Sequence, residues 1–268
     1  MRAAAVQLTS SGDVDANLAT ADQLTRAAAH DGAQLVVLPE KWPALGTPEL
    51  LHEGAAREAE IRAWVSDTAR ELGIDLVAGS MSLRDEATGR LRNTSLHAGP
   101  DGQVVAEYAK VHLFDVSVAG REYRESEHEE PGERPVLSHT ADGTSLGLTI
   151  CYDVRFPALF EALDAKVFAL PSAFTLATTR DHWEILVRAR AIEQQAFFVA
   201  ANQVGEHPGG TRSGGRSMIV DPWGVVLATA PDTEGHVTAD LDLQALARIR
   251  AELPALTHRR PIPTEVRA

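Results

Sequence analysis

Short apolar runs alternate along this chain with stretches whose apolar residues recur at helical spacing, and that alternation predicts most of its elements. Ala3–Leu8 is apolar except for Gln7 and reads as a buried first strand. From Asp15 to His30, Leu18, Ala21, Leu24 and Ala28 fall on one helical face, with Asp15 as the expected cap. Gln34–Leu38 then reads as a strand, Glu58–Leu72 as a helix stopped at Gly73, and Ile74–Gly79 as a strand. Asn93–Ala98 and Val104–Tyr108 form a hairpin-like pair turning at Pro100-Asp101-Gly102, and the polar, acidic stretch Arg121–Pro135 predicts an exposed loop.

The second half repeats the rhythm. It predicts a strand at Ser145–Ile150, a helix from about Pro157 to Leu163, a strand at Val167–Leu170, a helix across Arg180–Gln195 and a strand at Phe197–Ala201. A glycine-rich loop, His207–Gly215, is a candidate mobile lid. Strands at Ser217–Val220, Val225–Ala228 and His236–Asp240 follow, the first two joined by the turn Asp221-Pro222-Trp223-Gly224. A helix over Leu241–Leu253 closes the chain with a polar, proline-containing tail. The result is a mixed α/β reading with neither repeats nor low-complexity sequence.

The length of 268 residues suits one domain, taken as 1–268, and 44% hydrophobic residues is close to the soluble-globular average. A formal charge of −13 opposes attraction to phosphate backbones or anionic lipid, so neither nucleic acid nor a membrane is an expected partner. No window approaches the ~20 apolar residues of a membrane span. The first ten residues lack the apolar core and cleavage site of a signal peptide, and the lone cysteine, Cys151, excludes an intramolecular disulfide. A reducing cytoplasm is the expected location.

Chemistry enters at the ends of strands. Glu40, Lys110 and Cys151 each follow an apolar strand, the position at which α/β sheets gather their sites. Each has an ordinary reading: a surface carboxylate after Pro39, a solvated lysine, an inert small hydrophobe. The flanks of Cys151 favour more than that, because Leu146–Ile150 supplies a rigid strand and Tyr152–Pro157 begins a turn into a helix. Such a turn exposes a thiol and aims backbone N–H groups at an incoming carbonyl oxygen. A free thiol titrates near 8.5, so attack at neutral pH needs a base, for which Glu40 is the candidate. Lys110 would stabilise the oxyanion. Ten histidines raise the question of a metal, but no His-Glu-x-x-His or similar ligand spacing occurs, and no metal or organic cofactor is expected.

Leu-Pro-Glu at 38–40, Tyr-Ala-Lys-Val-His-Leu-Phe-Asp at 108–115 and Ile-Cys-Tyr-Asp-Val-Arg-Phe-Pro at 150–157 together resemble the nitrilase or carbon–nitrogen hydrolase superfamily. So do Arg-Glu-Ser at 124–126, Leu-Pro-Ser-Ala-Phe-Thr at 170–175, Ala-Asn-Gln at 201–203 and Ser-Met-Ile-Val-Asp-Pro-Trp-Gly at 217–224, so that the resemblance runs nearly end to end. It implies a four-layer αββα sandwich, a Glu-Lys-Cys triad at Glu40, Lys110 and Cys151, and a supporting glutamate at Glu125, with Glu122, Glu127, Glu129 and Glu130 as nearby competitors for that place. It further implies a homodimer or higher homo-oligomer.

Cys151-Tyr152-Asp153 resembles the amidase branches more than the Cys-Trp-Glu of true nitrilases. Lys110–Val116 with Asp153–Pro157 looks most like the Nit-type group, which includes ω-amidase and deaminated glutathione amidase. The implied substrate is a small carboxylate-bearing amide, hydrolysed through a thioester with release of ammonia. N-carbamoyl hydrolysis is the neighbouring reaction, and a noncatalytic interaction protein on the same fold is the reading from a different class. Tyr152 would offer a backbone N–H, Arg155 a cation for the distal carboxylate or else a structural ion pair, and Phe174 and Thr175 a pocket wall. Lys41-Trp42-Pro43 departs from the entrance segments of the Nit subgroups, and Asp164-Ala165-Lys166 stands where relatives commonly have Gly-Ala before a strand.

Overall fold

The computed structural model describes residues 1–260. Its first half contains β1 (Arg2–Gln7), α1 (Val14–His30), β2 (Leu35–Val37), α2 (Pro48–Ala56), α3 (Glu58–Leu72), β3 (Asp75–Val77), β4 (Met81–Arg84), β5 (Leu91–Ala98), β6 (Val104–Ala109), β7 (Asp115–Val118), β8 (Arg121–Arg124) and β9 (Val136–His139). The second contains β10 (Ser145–Leu148), α4 (Pro157–Glu161), β11 (Val167–Ser172), α5 (Leu176–Thr178), α6 (Glu184–Gln194), β12 (Phe197–Asn202), β13 (Val204–His207), β14 (Thr211–Gly214), β15 (Met218–Val220), β16 (Val226–Thr229), β17 (Gly235–Asp240) and α7 (Leu243–Glu252).

Among the described residues these strands form two main sheets, ordered β17-β1-β2-β3-β5-β4, with β6 on β5, and β16-β15-β12-β11-β10-β9. The period of two along β1 and β2 explains their packing. Ala3, Ala5, Leu35 and Val37 meet the second sheet, while Ala4, Val6, Val36 and Leu38 meet Ala21 and Ala28 of α1 and Ile61, Val65 and Ala69 of α3. On the opposite outer face Phe160 of α4 covers paired Phe168 and Phe198, whose rings stack at 4.9 Å. The fold is the αββα sandwich. A buried polar clamp also spans it: His97 of β5 bonds Asp75 of β3 at 3.1 Å and Ser138 of β9, in the other sheet, at 2.8 Å.

Several local expectations are corrected. The cap of α1 is Asp13, whose carboxylate accepts the N–H groups of Asp15 and Ala16, so Asp15 sits in the first turn. Arg121–Pro135 is not an exposed loop: β8 pairs with β7, a helical turn follows at Glu125–Glu127, and Glu129 is buried. His207–Gly215 is largely a ribbon, β13 against β14, and Arg121 holds its tip through the carbonyls of Gly209 and Gly210. The helix expected from Arg180 starts earlier, as α5, and runs through a wide turn at Thr179–Trp183 into α6. The closing helix is Leu243–Glu252, capped by Asp242, and residues 261–268 of the tail lie outside the described residues.

Candidate active site

Glu40 leaves β2 through Leu38-Pro39 and is fixed between the sheets. Its N–H donates to the Ser172 carbonyl at 3.3 Å, and its own carbonyl accepts from Gln203 Nε2 at 3.0 Å. Gly79 makes this approach possible: at φ +56°, it lies where a Cβ would stand 2.0 Å from the Pro39 carbonyl oxygen. Lys110 leaves β6 with its N–H on the Asn93 carbonyl, while Cys151, at φ 45°, turns β10 into a short helical turn over Cys151–Arg155.

These turns bring the predicted catalytic residues together. Lys110 Nζ donates to Glu40 Oε1 at 2.8 Å and to Glu125 Oε2 at 2.9 Å, with all three side chains nearly excluded from solvent. The Ala173 N–H donates to Glu40 Oε2 at 2.8 Å, and the Cys151 thiol opens onto the same cavity as that carboxylate. Asn93 Nδ2 donates to both Glu40 and Glu125, and the Phe114 N–H completes the shell of Glu125 at 2.7 Å.

The charges follow from this wiring. Burial and the adjacent Glu40 carboxylate push the Cys151 thiol above its ordinary range, against the pull of Lys110. Burial works against the Lys110 ammonium, but Glu125 and Glu40 raise it well above the usual lysine range. Glu125 is held well below the carboxylate range, since Lys110 and Lys41 outweigh its own burial. The resting arrangement is therefore a protonated thiol beside a carboxylate, with a permanent ammonium alongside.

A cavity of about 480 Å³ opens onto Glu40, Lys110, Glu125 and Cys151. Tyr152, Phe174 and Thr175 line it as expected, joined by Leu45 and Leu51 from the segment after Glu40. Arg155 is not part of the wall. Its guanidinium stands 5.3 Å from the centre of the Phe174 ring and 6.0 Å from that of Tyr152, with Nη2 on His182 at 3.2 Å. No carboxylate pairs with it among the described residues, so the structural ion pair is not formed.

The acids near Glu125 separate cleanly. Glu122 pairs with Arg124 and Glu130 with Arg92, whereas Glu129 is buried and bonds Lys41. The sequence assigned no role to Lys41, Asn93 or Asp153, and offered Glu129 only as a competitor of Glu125. A polar residue at a buried strand position was the available signal for Asn93, and an acid two residues after the thiol was the signal for Asp153. Lys41 and Glu129 carry no local signal, because each is explained only by the other. Among the described residues no cluster of three or more histidine, cysteine or acidic side chains is arranged to hold a metal.

The carbon–nitrogen hydrolase family model matches residues 2–251. The chain is 39% identical over 265 residues to a deaminated glutathione amidase from Synechocystis sp., covering 96% of this chain and 97% of that one. It superposes on the crystal structure of the C. elegans NitFhit protein with a TM-score of 0.90 at 36% identity, covering 97% of this chain and 65% of that one. A variant of the amidase from Nesterenkonia sp. AN1, with acrylamide added at its active-site cysteine, superposes with a TM-score of 0.77 at 30% identity over 95% of this chain and 98% of the other.

Proposed function

Because this chain belongs to the carbon–nitrogen hydrolase family, we propose that Cys151 is its nucleophile, Glu40 its general base and Lys110 its oxyanion cation, with Glu125 holding Lys110 in place. The enzyme is a cysteine-dependent hydrolase of amide C–N bonds. The observation that carries the assignment is the ammonium of Lys110 suspended between two carboxylates beside the only thiol. An ammonium has three N–H donors. Glu40 takes one at 2.8 Å and the two oxygens of Glu125 share the others at 2.9 Å and 3.2 Å, the longest being the contact that a substrate oxygen would displace.

In the proposed reaction Glu40 takes the Cys151 proton as sulfur attacks the amide carbon, and Lys110 with the Tyr152 N–H receives the oxyanion. The C–N bond breaks as the Glu40 proton passes to the leaving nitrogen. Water then gives its proton to Glu40 and attacks the thioester, releasing the carboxylic acid and restoring the thiol. Water and amide are consumed; the acid is formed with ammonia from a primary amide, or with the free amine from an N-substituted one such as deaminated glutathione.

The proposed substrate is a small amide bearing a distal carboxylate, such as a 2-oxo-ω-amide or deaminated glutathione. The cavity volume suits it, and Arg121, Arg124 and Arg212, which line the cavity, are the proposed carboxylate cations. Residues 1–268 are proposed to act as one domain, in the cytoplasm, where the nucleophilic thiol stays reduced. No helix among the described residues is long and apolar enough to cross a membrane. Ile185 and Ile192 of α6 stand exposed with Trp223, consistent with a proposed homo-oligomer.

The deciding experiment is ammonia release from 2-oxo-ω-amides, N-carbamoyl amino acids and simple nitriles, and 2-oxoglutarate release from deaminated glutathione, each beside Cys151→Ala. Turnover of an amide that vanishes in the variant supports the assignment. Unchanged turnover, or an acyl adduct on another residue, overturns it.

A further inference from the structure

Two buried ionic side chains next to the site have no part in the steps above. Lys41 follows Glu40 directly and adopts φ 51°, a backbone conformation that residues with a Cβ seldom take. Its N–H donates to Ser80 Oγ at 3.0 Å, and its side chain runs beneath the site to Glu125. Lys41 Nζ donates to Glu125 Oε1 at 3.1 Å and to Glu129 Oε2 at 2.6 Å. Glu129 has a fully buried side chain, and its second oxygen accepts from Ser82 Oγ at 2.6 Å. Glu125 is thus gripped from two sides, by Lys110 and by Lys41.

A buried ion pair is weak evidence of stabilisation, since well-packed apolar residues of similar volume often serve as well. Its placement is what calls for explanation. Lys41 and Glu129 together add no net charge when both are ionised, so the pair adds hydrogen bonds to Glu125 without altering the field at the thiol to first order. Without Lys41, Oε1 of Glu125 would keep only Asn93 and a shared contact with Lys110, and the carboxylate would be held mainly at Oε2, by Lys110 and the Phe114 N–H.

The geometry points to Lys41 as a positioning residue for the amidase reaction: balanced by Glu129, it fixes the Glu125 carboxylate and thereby the Lys110 ammonium that meets the oxyanion. This rests on reading Glu40, Lys110 and Cys151 as the triad. The Lys41 ammonium donates its hydrogen bonds to two acids, Glu125 and Glu129, and its effect belongs to the step in which charge develops on oxygen.

The test is steady-state kinetics on one amide for the wild type, Lys41→Met, Lys41→Arg, and the double variant Lys41→Met with Glu129→Met, with Cys151→Ala as control. The expected result for Lys41→Met is a kcat lowered by roughly ten- to a hundredfold, the scale of a ~1 Å misplacement, with KM nearly unchanged. Lys41→Arg restores most of it. The double variant removes both charges and keeps the packing, so if the single variant fails to fold, a folded double variant with the same kcat loss supports the inference. Wild-type kcat in a folded Lys41→Met or double variant overturns it, as does a loss confined to KM. An active Cys151→Ala would instead remove the triad on which it stands.

Discussion

The Tyr108 hydroxyl donates to Asp153 Oδ2 at 2.7 Å, and through that bond the strand that presents Lys110 is tied to the turn that presents Cys151. Tyr108 lies in β6 of one sheet and Asp153 in the turn that follows β10 of the other, and Asp153 is completely buried. Its carboxylate also accepts the Ile150 N–H at 2.9 Å, and the N–H and Nδ1 of His112 at 3.2 Å and 2.8 Å. The turn carrying the thiol is therefore held by a charge that the sequence offers only two residues downstream.

Removing the hydroxyl should loosen this tie. A hydrogen bond to a charged group contributes about 1.5–3 kcal/mol, so Tyr108→Phe is expected to lower the unfolding free energy by about that amount. Urea denaturation with an unchanged m-value checks it. A midpoint equal to that of the wild type would show that the bond adds nothing to the sandwich.

The thiol offers a pH prediction. Because burial and the Glu40 carboxylate raise it, the rate of Cys151 alkylation by iodoacetamide should still be climbing at pH values above the ~8.5 of a free cysteine. Glu40→Gln removes the neighbouring negative charge and should move the alkylation midpoint to lower pH while abolishing turnover. A plateau already reached at pH 7 in the wild-type enzyme would contradict the resting state described here.

How much of this was legible in the sequence divides along a physical line. Apolar periodicity reports which face of an element is buried, so β1, α3, α6 and the β5–β6 pair could be read from Ala3–Leu8, Glu58–Leu72, Arg180–Gln195 and the turn after Ala98 with boundary errors of a few residues. Glu40, Lys110 and Cys151, the proposed triad, stood out as candidates because each follows an apolar strand, and the family resemblance supplied their roles. Arg121–Pro135 was misread since its acids look solvated in any local window. Glu129 is buried only because Lys41, far away in sequence, meets it, and no periodicity encodes that meeting.

Arg155 stands without an acid partner while facing two aromatic rings of the cavity wall. Because it stands against those rings and outside the cavity wall, Arg155→Ala should lower kcat/KM by the same factor, roughly a few-fold, for a carboxylate-bearing amide and for an otherwise matched amide lacking the carboxylate. Comparing the two substrates in both enzymes checks it. A loss confined to the carboxylate-bearing amide would place Arg155 on the substrate instead.

Glu129 supplies the last prediction, in the stability of the whole chain. Burial and the nearby Glu125 charge raise its pKa from the ordinary 4.5 to about 7, against the pull of Lys41. Between those values the folded state holds a proton that the unfolded chain has released, so this group's contribution to stability falls as pH rises from about 4.5 to about 7 and is constant outside that window. Glu125 acts with the opposite sign, because its folded pKa is depressed, but its contribution is lost only as pH falls below the ordinary carboxylate range. The two windows are separate. Subtracting the thermal midpoint of the wild type from that of Glu129→Gln at pH 5, 6 and 7 should therefore give a difference that moves in the variant's favour as pH rises. A constant difference would mean that Glu129 is ionised throughout, paired with Lys41 as a permanent salt bridge.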